Sequence, residues 1–164
     1  MSKFSDKVAV VTGAGRCIGN ASAKKLASEG AKIAAISRSV ENSQSCAEEI
    51  NSEFPDVARS YSVDVSNHDD MMDVGKKILN DFGKVDILVN NAGVTRDNLM
   101  LRMNEDEWDA VLNTNLKGAF NSVKAFQRSL LKQGGARIIN ISSVIGLIGN
   151  AGQANYAASK AGLI

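Results

Sequence analysis

The chain has 164 residues, of which 44% are hydrophobic and 23% are charged, and its formal net charge is +1 at pH 7. This is the composition of a globular domain, and a charge so close to zero argues against nucleic acid or a membrane surface as the main partner. No run of about 18 apolar residues is present, so we predict no transmembrane helix, and the first strand starts too early for a signal peptide.

The two cysteines, Cys17 and Cys46, have neither the spacing of a metal site nor that of a disulfide framework. They indicate a reducing compartment, and the cytoplasm is the expected location. A mature organelle protein that has lost its transit peptide would have the same features. We expect no metal site.

Short apolar runs alternate with segments of helical periodicity along the whole chain. The predicted strands are Lys7–Thr12, Lys32–Ser37, Ala58–Val63, Val85–Asn90 and Ala136–Ser142. The predicted helices are Ala21–Glu29, Glu41–Glu53, Asn67–Phe82, a long region Glu105–Lys132, and a last helix that begins near Ala154. This alternation predicts an α/β fold, with a doubly wound parallel sheet in a single domain over residues 1–164.

A glycine-rich turn lies between the first strand and the first helix, where α/β folds bind dinucleotides. Glycines there let the backbone approach a pyrophosphate, and the helix N-terminus supplies N–H donors. An ordinary tight turn is the alternative. The candidate cofactor-binding residues of this turn are Thr12, Gly13, Gly15, Arg16, Ile18 and Gly19.

The end of the second strand indicates which cofactor binds. NAD sites usually have an acidic residue there, but this chain has Ser37 and Arg38 instead. Arg38 and Arg16 suit the 2′-phosphate of NADP(H), because guanidinium groups bind phosphate through paired hydrogen bonds. NADP(H) is therefore preferred over NAD(H), the alternative being two solvated arginines.

Polar and small residues also follow the third and fourth strands. Asp64 and Val65 could contact the adenine ring, although an Asp after a strand is more often a turn residue. Asn91, Ala92 and Gly93 lie at a strand end that suits a ligand crevice, and they would also make a good turn.

The catalytic candidates lie towards the C-terminus. Tyr156 and Lys160 are four residues apart and share one helix face, where an ammonium group would stabilise a phenolate for proton transfer. Ser143 ends the fifth strand, and the glycine-rich loop after it can return the hydroxyl to the phenol. We expect Asn115 to bend its helix and hold a water. The alternatives are a surface Tyr–Lys pair and an exposed Asn.

Together these residues resemble the short-chain dehydrogenase/reductase family, and they occur in that family's order. The resemblance implies a Rossmann-type sheet, with Tyr156 protonating a carbonyl oxygen, Ser143 orienting it, and Lys160 binding the nicotinamide ribose. It places both Tyr156 and Lys160 among the cofactor-binding residues. Asn115 would hold a water that links Lys160 to solvent. The resemblance also implies a homotetramer and a sheet with further C-terminal strands, so we expect that Ile164 ends a fragment.

Within the family, the segments Asn91–Met103 and Gly149–Tyr156 are similar to 3-oxoacyl-[acyl-carrier-protein] reductases. The implied function is NADPH-dependent reduction of 3-oxoacyl thioesters in fatty acid synthesis, with an acyl thioester substrate and acyl carrier protein as partner. The alternatives are acetoacetyl-CoA or another short-chain carbonyl reductase, an inactive nucleotide-binding fragment, and a flavodoxin-like domain.

Two positions depart from these patterns. Cys17 stands where the family's turn usually has its second glycine. We expect its side chain either to crowd the pyrophosphate or to strain the backbone, and so to weaken the binding of NADPH. Gly134 stands where carrier-protein reductases commonly have an arginine, and Arg128 and Lys132 are its candidate substitutes for docking an acidic carrier protein.

Overall fold

Strands form at the five apolar runs of the sequence. In the computed structural model, which describes residues 2–164, they are β1 (Val8–Thr12), β2 (Lys32–Ser37), β3 (Ala58–Ser62), β4 (Ile87–Asn90) and β5 (Arg137–Asn140). All neighbouring pairs are parallel and the strand order is β3-β2-β1-β4-β5. The predicted doubly wound parallel sheet is confirmed.

Three of the seven helices begin at a polar residue whose side chain caps the first turn. The helices are α1 (Cys17–Ser28), α2 (Val40–Glu53), α3 (His68–Phe82), α4 (Glu105–Leu112), α5 (Gly118–Lys132), α6 (Ile145–Ile148) and α7 (Ala154–Ala161). Ser39 and Asn67 cap α2 and α3, and Asn104 forms a reciprocal capping box with Glu107 in α4. None of the helices in residues 2–164 combines the length and the apolar character needed to cross a membrane.

One predicted helix boundary was wrong, and one predicted helical region contains an internal irregularity. α1 begins at Cys17, four residues before the predicted Ala21, because the glycine-rich turn leads directly into the helix. The long region 105–132 is divided by a π-helical segment, Asn113–Lys117. The wider turn contains Asn115, so the predicted local distortion of the helix is present at that residue. The one-turn helix α6 was not predicted.

The side chains of each strand alternate between two cores, one on each face of the sheet. Ala9, Val11, Ile33 and Ala35 pack against α1 and α2. Residues of the opposite parity, among them Val10, Ala34, Ile36 and Leu88, pack against α3 and α5. This two-sided burial explains why the inner strands read as continuous apolar runs.

The strands that follow β1 in sequence are added first on one side of it and then on the other. β2 and β3 lie on one side of β1, whereas β4 and β5 lie on the other. The loops that leave the carboxyl ends of β1 and β4 therefore diverge and open a crevice, which is where α/β sheets bind ligands.

The fifth strand lies at an edge of the sheet and is exposed along its length. Ile138 and Ile139 point to opposite faces and have 46% and 43% of their surface exposed. Within residues 2–164 no further strand pairs with the outer edge of β5.

A buried carboxylate connects β1 to β4 at the end of the sheet away from the crevice. Asp86 is 1% exposed and accepts hydrogen bonds from the Val8 N–H (3.0 Å), Lys7 Nζ (3.0 Å) and Lys84 Nζ (3.2 Å). Burial by itself raises the pKa of the Asp86 carboxyl, but these three donors outweigh it and hold the pKa below its usual range.

We predict that Asp86→Asn lowers the free energy of unfolding by about 2–3 kcal/mol at pH 7, because it leaves the two ammonium groups without their buried partner. A lowered carboxyl pKa stabilises the fold above the unfolded-state pKa of about 4 and not below the folded-state pKa. The difference between variant and wild type should therefore shrink as the pH falls below about 4. Urea unfolding at several pH values measures it.

Asp73→Asn is the matched control, since Asp73 forms an exposed pair with Lys76 at 2.8 Å. It should cost less than about 0.5 kcal/mol. Equal losses in both variants would show that the buried site at Asp86 has no special importance.

Candidate active site

The glycine-rich turn and the loop after β4 are held together by Thr12 and Asn91. The Thr12 hydroxyl donates to the Val89 carbonyl and accepts from the N–H groups of Asn91 and Ala92, at 3.0 and 3.1 Å. Asn91 Nδ2 donates to the carbonyls of Thr12 and Gly13. These bonds form the floor of the crevice at the sheet reversal.

Two glycines of the turn have no room for a side chain. Gly13 has a φ of +65°, and a Cβ there would approach Ala92 Cα to 2.9 Å. At Gly19 a Cβ would overlap the Gly13 carbonyl oxygen. The turn therefore folds closely against the start of α1.

The backbone of Cys17 has a left-handed conformation. Its φ is +51°, in the left-handed region where a Cβ is unfavourable, and its side chain is exposed. This conformation agrees with the strain predicted from the sequence, and it explains why glycine is the common residue there.

A groove of about 350 Å³ follows this crevice. The predicted cofactor-binding residues that line it are Gly13, Gly15, Arg16, Ile18, Arg38, Asp64, Val65, Asn91, Ala92 and Gly93. Thr12 and Gly19 are buried beneath it and act through the contacts above. A long groove with glycine floors and two arginines fits a phosphorylated dinucleotide, so the residues present suit the predicted cofactor.

The end of the groove beside the carboxyl ends of β2 and β3 contains an exposed ion pair. Arg38 Nη1 lies 4.0 Å from Asp64 Oδ2, and the other Asp64 oxygen accepts from the Ser66 N–H and hydroxyl. Asp64 is therefore a turn residue, which was the alternative interpretation of its place after a strand. It also lines the groove. Arg16 precedes the first residue of α1, makes no capping hydrogen bond with its side chain, and lines the groove.

The groove continues into a second cleft of about 570 Å³ that contains three of the four catalytic candidates. Ser143, Tyr156 and Lys160 line it, and Arg16, Ile18, Asn91, Gly93 and Val94 line both spaces. Ser143 Oγ accepts from the Ile145 N–H at 3.2 Å, so the short helix α6 orients the hydroxyl. Its proton can then be donated to a ligand.

Lys160 is the most buried charged side chain of the cleft, at 4% exposure. Its Nζ donates to the Ile141 carbonyl at 2.7 Å and lies 5.7 Å from the centre of the Tyr156 ring. Burial lowers the pKa of the Lys160 ammonium group, so this group releases a proton more readily than a solvated lysine does.

Asn115, the fourth candidate, lies behind the cleft. Its Oδ1 accepts from the Val94 N–H at 2.8 Å, and its Nδ2 donates to the Val94 carbonyl and to Ser159 Oγ. A Cβ on Gly93 would lie 3.2 Å from Asn115 Oδ1 and 3.7 Å from Lys160 Nζ, so Gly93 separates the two side chains. Asn115 thus fastens the loop after β4 to the helix that carries Tyr156.

Sequence reasoning missed several residues of the two clefts. Ser39 and Asn42 line the groove, and their signal was the Ser-x-x-Asn cap of α2 directly after Arg38. The others come from segments that only the fold brings together and carry no local signal; they are Ile36, Val63, Val94, Thr95, Arg96, Thr114, Ile141 and Ser142.

This geometry agrees with comparisons to known proteins. The chain is 44% identical to 3-oxoacyl-[acyl-carrier-protein] reductase FabG of Thermotoga maritima over 99% of its length, 49% identical to FabG of Vibrio cholerae over 96%, and 45% identical to FabG of Escherichia coli over 98%. It spans 63–65% of the length of these relatives.

A solved structure described as NAD+-bound xylitol dehydrogenase superposes with a TM-score of 0.93 at 35% identity, covering 98% of this chain and 62% of that one. The sequence model described as short chain dehydrogenase matches residues 7–164. The chain belongs to the short-chain dehydrogenase family.

Proposed function

We propose that the protein is an NADP(H)-dependent carbonyl reductase whose substrates are 3-oxoacyl thioesters carried by acyl carrier protein, as in fatty acid synthesis. The observation that carries the proposal is the convergence of Ser143, Tyr156 and Lys160 on a cleft that is continuous with the dinucleotide groove. A shared space brings a hydride donor and a proton donor to the two ends of one carbonyl group.

In the proposed reaction NADPH, when bound, supplies the hydride to the carbonyl carbon. Tyr156 donates its proton to the carbonyl oxygen, and Ser143 donates a hydrogen bond that orients this oxygen. Lys160 stabilises the resulting phenolate and returns a proton to it, which its lowered pKa favours. A water positioned by Asn115 then restores the proton of Lys160 from solvent.

The thioester substrate is supported by the names of the relatives from Thermotoga, Vibrio and Escherichia. Arg128 and Lys132, both exposed on α5, are the proposed docking cations for an acidic carrier protein. We also propose that the protein assembles as a homotetramer through the long helical region and α7. Two unpaired cysteines support the cytoplasm as its compartment.

A nucleotide-binding role without turnover is the second candidate. The exposed fifth strand favours this role. Ser143 follows this strand, and within residues 2–164 no further strand pairs with its outer edge. Separate measurements of NADPH binding and of thioester reduction distinguish the two functions.

We predict that Tyr156→Phe lowers the rate of NADPH oxidation with acetoacetyl thioesters by about 10²- to 10⁴-fold, because the proton donor is lost. The dissociation constant for NADPH, measured by fluorescence titration, should stay within about threefold of wild type, since the ring and Lys160 remain.

Tyr61→Phe is the matched control, because Tyr61 lies on β3 and donates to Asp81, away from both clefts. It should keep the wild-type rate. A wild-type chain that binds NADPH but reduces no acetoacetyl thioester would overturn the reductase proposal and leave the binding role.

Cofactor choice should depend on Arg38. We predict that Arg38→Gln raises the dissociation constant for NADPH about 10- to 100-fold, which corresponds to one lost charge-assisted hydrogen bond pair, and changes that for NADH less than about threefold. Glutamine is preferred to an acid here because Asp64 lies beside Arg38. Arg128→Gln on α5 is the control, and an equal loss of NADPH and NADH affinity in Arg38→Gln would contradict the assignment.

Relief of the strained backbone at Cys17 should strengthen the cofactor site. We predict that Cys17→Gly tightens NADPH binding about two- to tenfold, because glycine adopts a φ of +51° without the cost of about 1 kcal/mol or more that a side chain imposes. Cys17→Ala removes the sulfur and keeps the Cβ, so it should bind like wild type. If alanine tightens binding as much as glycine, the thiol and not the backbone is responsible.

A further inference from the structure

A loop at one wall of the catalytic cleft is held by side chains from the start of the catalytic helix. Val94, Thr95 and Arg96 line this cleft together with Ser143 and Tyr156. Gln153 Nε2 donates to Asp97 at 2.9 Å, and the Asn98 N–H donates to the Gly152 carbonyl at 2.8 Å. The cleft wall and the segment before Tyr156 are therefore joined at several points, and we call residues 94–98 the wall loop.

Asn155 is the buried centre of this connection, with 0% exposure. Its Nδ2 donates to the Arg96 carbonyl at 2.9 Å and to the Glu107 carbonyl at 3.1 Å. Its Oδ1 accepts from the Tyr156 N–H at 2.7 Å. One amide thus joins the wall loop, α4 and the first turn of α7, and both of its protons are used.

The position of Tyr156 depends on this amide more directly than on any other side chain at the start of α7. The N–H of Tyr156 is one of the first-turn donors that have no partner inside a helix, and Asn155 Oδ1 provides the acceptor. Because the same side chain binds the carbonyl of Arg96, a shift of the wall loop moves the backbone of Tyr156 with it.

We propose that Asn155 is a positioning residue that sets the distance between the Tyr156 phenol and the wall of the cleft where a carbonyl substrate binds. The inference rests on the proposed reductase function and adds a residue to it. Asn155 contacts the backbone of Tyr156 and does not line the dinucleotide groove, so its effect should appear in the chemical step and not in cofactor affinity.

Asn155→Ala tests this assignment. The rate constant kcat for acetoacetyl thioester reduction should fall about 10- to 100-fold, since a displacement of about 1 Å in a reacting group costs that much. The dissociation constant for NADPH should change less than about threefold. Hydrogen–deuterium exchange should become faster at the Tyr156 amide and in residues 94–98, and this readout needs no activity.

Asn155→Asp separates positioning from a loss of fold. It keeps the acceptor for Tyr156, but at neutral pH its carboxylate would face two carbonyl oxygens, whereas a protonated carboxyl can donate to one of them. The ratio of its kcat to that of wild type should therefore rise as the pH falls. The charged groups on the surrounding segments are Arg96, Asp97, Glu107 and Lys160, and they are unchanged in this variant.

Asn150→Asp is the matched control for the added charge. Asn150 lies in the loop before α7, is exposed, and donates only to Gln153 at 3.0 Å. Its kcat ratio to wild type should not change with pH. Far-ultraviolet circular dichroism and the melting temperature of each variant establish that the assays measure folded protein.

The outcomes separate the two proposals. A wild-type chain without reductase activity defeats the proposed function, and the exchange experiment still decides whether Asn155 holds Tyr156 and the wall loop. With an active wild type, an unchanged kcat in Asn155→Ala overturns the assignment. So does a kcat ratio for Asn155→Asp that stays flat with pH. If Asn155→Ala does not fold, the pH profile of Asn155→Asp and its exchange at Tyr156 decide alone.

Discussion

The hydrogen bonds of the Thr12 hydroxyl hold together the two loops on which the whole site depends. β1 and β4 are parallel neighbours, yet the loops that leave them diverge to opposite faces of the sheet. A single hydroxyl that bonds to Val89, Asn91 and Ala92 keeps those loops adjacent where they would otherwise separate. The glycine-rich turn, the dinucleotide groove and the loop towards Tyr156 all start from this contact.

Amide side chains hold other loops of the site together in the same way, and those of Asn115 and Asn155 are fully buried. Asn91, Asn115 and Asn155 each bond to backbone groups of a segment far away in the chain. An amide can donate twice and accept at the same time, so it satisfies loop backbone groups that have no partner in a helix or strand. Burial makes these bonds demanding, because an unpaired amide or carbonyl there would cost about 1–3 kcal/mol. The loops of the cleft are therefore held rigid without regular secondary structure.

Charge is distributed differently at the two ends of the sheet. At one end Asp86 is buried and paired with two lysines, and it stabilises the junction of β1 and β4. At the other end Lys160 is buried beside a carbonyl oxygen and a phenol, with its pKa lowered by burial. The first arrangement stabilises a fixed charge, whereas the second favours a group that exchanges protons. The left-handed backbone of Cys17 shows that the glycine-rich turn also carries strain, which a glycine would remove.

The sequence by itself determined the fold class and the location of all five strands, and it predicted many of the residues that line the two clefts. Those signals are local: apolar runs, glycines beside a strand end, and the spacing of Tyr156 and Lys160 on one helix face. The start of α1, the π-helical segment around Asn115 and the short helix α6 were decided by the tertiary structure, because packing and loop contacts outweigh weak local preferences there. Thr95, Arg96 and Asn155 entered the site in the same way. Their partners lie far away along the chain, so no pattern of neighbouring residues could show that they meet.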